Sequence, residues 1–333
     1  MTIVEPTPEA VDTAASALAA GRLVAFPTET VYGLGANAEN PLAVARIFAA
    51  KGRPADHPVI VHVADARDLP AWAREVPPGA AALAAAFWPG PLTLILPRAA
   101  RAGDAVTGGQ DSVGLRVPSH PVARALLDAF AARGGRGIAA PSANRFGHVS
   151  PTTARHVADD LGAAVDVILD GGECEVGIES TIVAFTGAAP VLLRPGGVPL
   201  REIARVLGRE PARAEAGAPR ASGTLASHYA PRTPALLVAP GALRAEAAQL
   251  AARDESVAVL ARTSARPAGF DGAWRGMPDD AQGYAHALYA ALRALDAEGA
   301  DMLLIEDVPD DAAWLAVRDR LARATHGIDD DRD

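Results

Sequence analysis

The residues best suited to chemistry begin with Lys51-Gly52-Arg53-Pro54, where two cations flank a glycine and a proline follows. Gly and Pro force an irregular turn that can aim both charges at one point. Read alone, the same turn is also a helix end whose dipole favours a basic residue. The lysine strengthens the functional reading, because it is the single lysine beside thirty arginines. An ammonium offers a compact charge that a planar guanidinium does not reproduce. Ala140-Pro141-Ser142-Ala143-Asn144 leaves an apolar run, and Ser142 and Asn144 at alternate positions suit a phosphate or ribose. They are equally ordinary turn residues. Ser150-Pro151 opens the next helical stretch, where backbone N–H groups accept an anion or Ser150 serves only as a cap. Arg116 and Arg194 each sit in an apolar strand-like run. Such a residue faces solvent, or else points inward and needs a carboxylate or phosphate partner. Pointing inward with Lys51 and Arg53, they would make a cationic cleft of the kind a triphosphate requires.

His57 and His62 are five apart with no third ligand nearby, so metal binding is disfavoured and a hydrogen-bonding role preferred. Cys174 is alone and flanked by Glu173 and Glu175, a poor setting for a thiolate. The chain has no GxxxxGK[ST] loop, no GxGxxG after a strand, no HExxH and no GxSxG.

These residues need elements to position them. The chain has 333 residues, half of them hydrophobic and 77 of them alanine, with a formal net charge of -9. That composition supports a real core and excludes intrinsic disorder. The acidic balance argues against a scaffold that coats nucleic acid along its whole surface. The long uncharged run 76–97 is interrupted by five prolines and reads as helix, turn and strand, not a membrane span. The start MTIVEPTPEA lacks a basic segment followed by an apolar one, and the expectation is a cytoplasmic protein. Strands are expected at 22–26, 58–63, 92–96, 113–117, 137–140, 166–169 and 180–185, with a polar loop over 27–35. Helices are expected from Asn40-Pro41 to Ala50, over 119–132, over 151–161 behind a Ser150 cap, and over 198–208. The expected organisation is an α/β (α+β) domain over 1–208, a linker over 209–234, a small parallel α/β domain over 235–328 and an acidic tail over 329–333.

Six segments in order, PTETVYGLG at 27–35, KGRP at 51–54, GLRVP at 114–118, APSAN at 140–144, ESTIV at 179–183 and LRPG at 193–196, resemble the YrdC-like domain of threonylcarbamoyl-AMP synthases. The resemblance covers about residues 8–197, and Ser227-His228-Tyr229-Ala230-Pro231 with the unit after it looks like the long two-domain form. It implies a YrdC-like twisted mixed sheet and a Rossmann-like second domain. It also implies that L-threonine, bicarbonate (or CO2) and ATP with Mg2+ give threonylcarbamoyl-AMP and pyrophosphate, with no metal ligand from the protein. Carried over by motif, Thr30, His62, Arg116, Ser180 and the Ala140 backbone would hold threonine. Arg53, His57, Ser112, Ser142, Asn144, Ser150 and Arg194 would hold ATP, with Lys51 and Arg53 at the reacting centre and Tyr229 as a lid. The implied partners are tRNA or a downstream threonylcarbamoyl-transferase complex. Two positions depart from the family pattern: Ser222 stands where many relatives have proline, and His57 where asparagine is frequent. The alternative is an RNA-binding or ribosome-assembly module, opposed by the acidic charge and the scarcity of aromatics.

Overall fold

The computed structural model describes residues 2–215 and 217–326, which divide into one unit within 2–146 and 150–224 and a second of 147–149 and 225–326. The acidic tail at 329–333 lies outside the described residues.

The first unit is built on an eleven-stranded mixed sheet. Its strands are β1 (Ile3–Val4), β2 (Val24–Phe26), β3 (Gly33–Asn37), β4 (Ile60–His62), β5 (Leu92–Pro97), β6 (Ser112–Arg116), β7 (Ile138–Ala139), β8 (Val167–Leu169), β9 (Thr181–Ala184), β10 (Val191–Arg194) and β11 (Ala212–Arg213). They run in the order β1-β8-β2-β3-β7-β4-β6-β5-β9-β10-β11, with parallel and antiparallel neighbours. The middle strands are largely apolar and buried along almost their whole length because both faces are covered, with His62, Thr93, Ser112 and Arg116 as the polar exceptions. Leu34, Val61, Leu94, Leu115 and Val183 belong to one core, and Val24, Phe26, Ile138 and Leu169 to a second.

Most expected elements form with narrower ends, but the 27–35 loop is shorter than expected because β3 begins at Gly33. Its glycines permit this. A Cβ at Gly35 would lie 2.9 Å from both Ile138 and Phe26, so only glycine lets the strand pack there. The helix Pro41–Lys51 starts as expected, with the Asn40 side chain accepting from Leu42 and Ala43. It ends at Gly52, whose φ of 63° reverses the chain and sends Arg53 away from the helix axis. The Ser150 cap is corrected. The helix spans Ala154–Leu161 and is capped by Thr153, whose hydroxyl accepts from His156 N.

The segment expected as a linker is more ordered than its composition suggests. Ala212–Arg213 adds an edge strand to β10, and Ala218 and Ala221 pack on an apolar patch of Ile60, Ile95, Ile182, Ala184 and Leu193. Arg220 N donates to the side-chain Oε1 of Gln110 (2.7 Å), which pins this strap. No apolar periodicity marked it, because a strap needs only a few small residues to cover a patch.

The second unit holds a four-stranded parallel sheet of β12 (Ala235–Val238), β13 (Val257–Ala261), β14 (Trp274–Gly276) and β15 (Met302–Glu306) in the order β12-β15-β13-β14. β14 is three residues long and largely exposed, too short to give a periodic signal in the sequence. Helices Leu243–Ala251, Ala281–Asp296 and Leu315–Ala324 connect or follow the strands. Among the described residues, no helix is long and apolar enough to cross a membrane.

Candidate active site

The Gly52 reversal leaves Lys51 pointing into the first unit, where it is buried. Its Nζ donates to the carbonyls of Ser142 and Asn144, both at 2.5 Å, and Phe146 N returns a bond to the Lys51 carbonyl at 2.8 Å. The lysine therefore stitches the helix end to the 140–146 loop. Burial and then Arg53 push the Lys51 ammonium well below its ordinary pKa. Two of its three donors are spent on carbonyls, which leaves one.

Arg53 Nη2 donates to the Pro58 carbonyl (2.7 Å) and Ser222 Oγ (3.3 Å), and its guanidinium lies 5.9 Å from the Phe146 ring centre. The His57 ring meets the same phenylalanine edge-on at 5.4 Å. Burial and Arg53 lower the His57 pKa. Arg194 is buried at the end of β10 and holds the Ser180 carbonyl through Nε (3.2 Å) and Nη2 (2.9 Å). Its Nη1 donates to the Ser222 carbonyl at 2.7 Å. The strap thus joins Arg53 to Arg194 through one residue. Ser180 Oγ pairs with Thr93 Oγ1 at 2.8 Å.

Arg116 ends β6, in register with His62 of β4, and both are buried. The expectation that an inward arginine needs a carboxylate is met by Glu29: Nη2 donates to Oε1 at 2.6 Å. Burial alone would raise the Glu29 carboxyl, but the charge and hydrogen bond of Arg116 and backbone N–H groups hold it below its ordinary pKa. Burial, then Arg116, push the His62 imidazole down to about 3. Its Nδ1 is buried and has no hydrogen-bond partner among the described residues. Beside this pair the Thr28 hydroxyl closes a turn, accepting from Thr30 N and Val31 N at 3.2 Å each and meeting Thr30 Oγ1 at 2.8 Å.

Ser142 and Asn144 lie in the loop that Lys51 holds through their carbonyls. Ser112 opens β6, and Ala140 N donates to the Ile60 carbonyl (2.9 Å) at the head of the 140–146 loop. Ser150 is no cap; its hydroxyl donates to Glu179 Oε1 at 2.6 Å. Tyr229 belongs to the second unit. Its φ of 61° is a strained value for a bulky residue. There the ring stacks on Tyr289 at 5.8 Å, and the Arg320 guanidinium lies 5.0 Å from its centre.

A family model for Sua5/YciO/YrdC domains, described as "Telomere recombination", matches residues 16–196. A second, described as "Threonylcarbamoyl-AMP synthase, C-terminal domain", matches residues 198–326. The chain belongs to the Sua5/YciO/YrdC family. Within it, a protein of Pyrococcus abyssi named threonylcarbamoyl-AMP synthase is 42% identical over 94% of this chain and 93% of its own length. A protein of the same name from Bacillus subtilis is 40% identical over 94% and 92%. The crystal structure of P. abyssi Sua5 complexed with L-threonine superposes with a TM-score of 0.89 at 40% identity, over 96% of this chain and 95% of that one.

Glu29, Thr93, Phe146 and Glu179 are site neighbours that motif reasoning did not single out, and Ser222 was noted only as a departure from the family pattern. Glu29 had a signal, since it lies inside PTETVYGLG and an inward Arg116 demanded an acid.

The neutral His62 gives a pH dependence. In the unfolded chain an imidazole takes a proton near pH 6.5, whereas His62 stays neutral in the fold down to about 3. Between those values the unfolded state binds more protons, so stability falls as pH drops from about 6.5 towards 3. His62→Gln never takes a charge and is expected to flatten that slope, measured as urea unfolding free energy against pH. Slopes identical to the parent would contradict a buried, neutral His62.

Proposed function

We propose that this chain is a threonylcarbamoyl-AMP synthase. It condenses L-threonine, bicarbonate (or CO2) and MgATP to L-threonylcarbamoyl-adenylate and pyrophosphate, which makes it a nucleotidyltransferase. The observation that carries this reading is the likeness to the threonine-bound P. abyssi Sua5 along nearly the whole chain. The buried cations support it independently, because the reaction brings anions together.

The neutral amine of threonine attacks the carbon of CO2 and loses a proton, giving a carbamate. A carbamate oxygen then attacks the α-phosphorus, the bond to the β-phosphate oxygen breaks, and pyrophosphate leaves. Nucleophile and electrophile are both anionic, so the barrier falls only where fixed cations neutralise them together. Arg53 and the remaining donor of Lys51 take that role. Arg116 grips the threonine carboxylate, with Thr30, His62, Ser180 and the Ala140 backbone around the rest of the amino acid. Because His62 is neutral, it orients the amino acid without competing for the carboxylate.

Arg53, His57, Ser112, Ser142, Asn144, Ser150 and Arg194 hold the nucleotide. Mg2+ arrives with ATP as part of the substrate. Residues 1–208 form the catalytic domain, and 209–234 the arm that closes over it, with Tyr229 towards the nucleotide. The unit over 235–328 is a small α/β domain whose expected end at 328 lies just beyond the described residues. A carbamate and a mixed anhydride both hydrolyse readily, so a water-excluding arm has an evident purpose. The product is the donor for tRNA threonylcarbamoyladenosine, made with a downstream transferase as partner in the cytoplasm.

Release of pyrophosphate by the purified protein tests the reading. It is expected only when threonine, bicarbonate and MgATP are all present.

A further inference from the structure

Arg116 is held at two of its three nitrogens. Nε donates to the Gly90 carbonyl at 3.3 Å and Nη2 to Glu29 Oε1 at 2.6 Å, while Nη1 makes no hydrogen bond with a described residue. Glu29 is itself fixed, because its second oxygen accepts from the backbone N–H of Ser119 at 3.0 Å. Both side chains are about 95% buried, so this is not a loose surface pair that exchanges with water. The two ends of the clamp come from different places: Glu29 from the turn between β2 and β3, and Ser119 from just beyond β6. Both oxygens of Glu29 are therefore held, one by Arg116 and one by the Ser119 N–H.

We propose that Glu29 is a positioning residue for amino-acid recognition: it locks the Arg116 guanidinium in the orientation that presents Nη1 to the substrate carboxylate. The inference rests on the reading that this site binds threonine. A free arginine rotates about its last bonds and spreads its donors over several directions, whereas a guanidinium fixed on two sides keeps its geometry before the ligand arrives. Without Glu29, the same charge would remain but its direction would not.

The test compares Glu29→Gln and Glu29→Asp with the parent chain, using threonine as substrate and L-threoninamide, which lacks the carboxylate, as competitor. The glutamine oxygen can still accept from Arg116, but its amide nitrogen then faces the Ser119 N–H, donor against donor. Glu29→Asp keeps the charge, is one methylene too short to reach both partners, and serves if the glutamine variant does not fold.

The KM for threonine is expected to rise by about tenfold in Glu29→Gln and by less in Glu29→Asp. The KM for ATP and the inhibition constant of threoninamide are expected to stay near the parent values. Equal weakening of threonine and threoninamide, or an unchanged KM for threonine, would overturn the proposal and leave Glu29 a structural ion pair. A parent chain whose pyrophosphate release ignores threonine would overturn the functional reading itself, before any variant is compared.

Discussion

Lys51→Met is expected to slow pyrophosphate release by about a hundredfold or more, the scale seen when one preorganised donor to a developing charge is lost. Methionine keeps the length of the stem and removes only the ammonium, so the packing of the helix end survives. Two things are lost together. The charge next to Arg53 goes, and the Ser142 and Asn144 carbonyls lose the donor that ties their loop to the helix. Leaving such groups unpaired costs about 1–3 kcal/mol each, so a lower melting temperature is expected alongside the lost rate. Lys51→Arg is expected to fail as well. From the sequence alone its fold would be expected to stay intact, but the burial of Lys51 changes that expectation. A larger planar fork has to enter a pocket shaped for an ammonium and overpacks it. Rate and melting temperature measured on the same preparations check this, and a methionine variant turning over within about threefold of the parent would refute it.

Ala221→Asp is expected to have the next largest effect. Ala221 is buried on the patch formed by Ile60, Ile95, Ile182 and Leu193. A carboxylate cannot stay ionised there without a partner, so the strap lifts from the sheet. Ser222 is the next residue, so its contacts with Arg53 and Arg194 go with the strap. Faster cleavage between residues 209 and 224 by a broad-specificity protease is expected, with turnover lowered by about tenfold or more as water enters. Unchanged cleavage together with unchanged turnover would show that the strap neither packs as described nor contributes to the reaction.

The contrast between these two positions shows what the sequence could carry. Lys51 was legible because a single lysine beside a glycine stands out in an arginine-rich chain, and a glycine at a helix end has one well-understood use. Arg116 and Arg194 were legible because a charge in an apolar strand demands a partner, although Glu29 could be matched to Arg116 only once the fold brought residues 87 positions apart together. Ser150 shows the opposite limit. Serine before proline has the local look of a cap, yet the helix starts later at Thr153, and tertiary contact with Glu179 claims the hydroxyl. The strap was the least legible part, because small residues on an apolar patch carry no periodic pattern. β3 was hidden for a related reason: its glycines read as a loop until Phe26 and Ile138 were seen against them.

The most direct test of the central claim is the fate of the bicarbonate carbon. Purified protein given MgATP, L-threonine and 13C-labelled bicarbonate should release pyrophosphate and form an adenylated product that carries both threonine and the label, read by mass spectrometry. Omission of any one reactant should abolish both signals. Pyrophosphate release that proceeds without threonine, or an adenylate without the labelled carbon, would contradict the assignment.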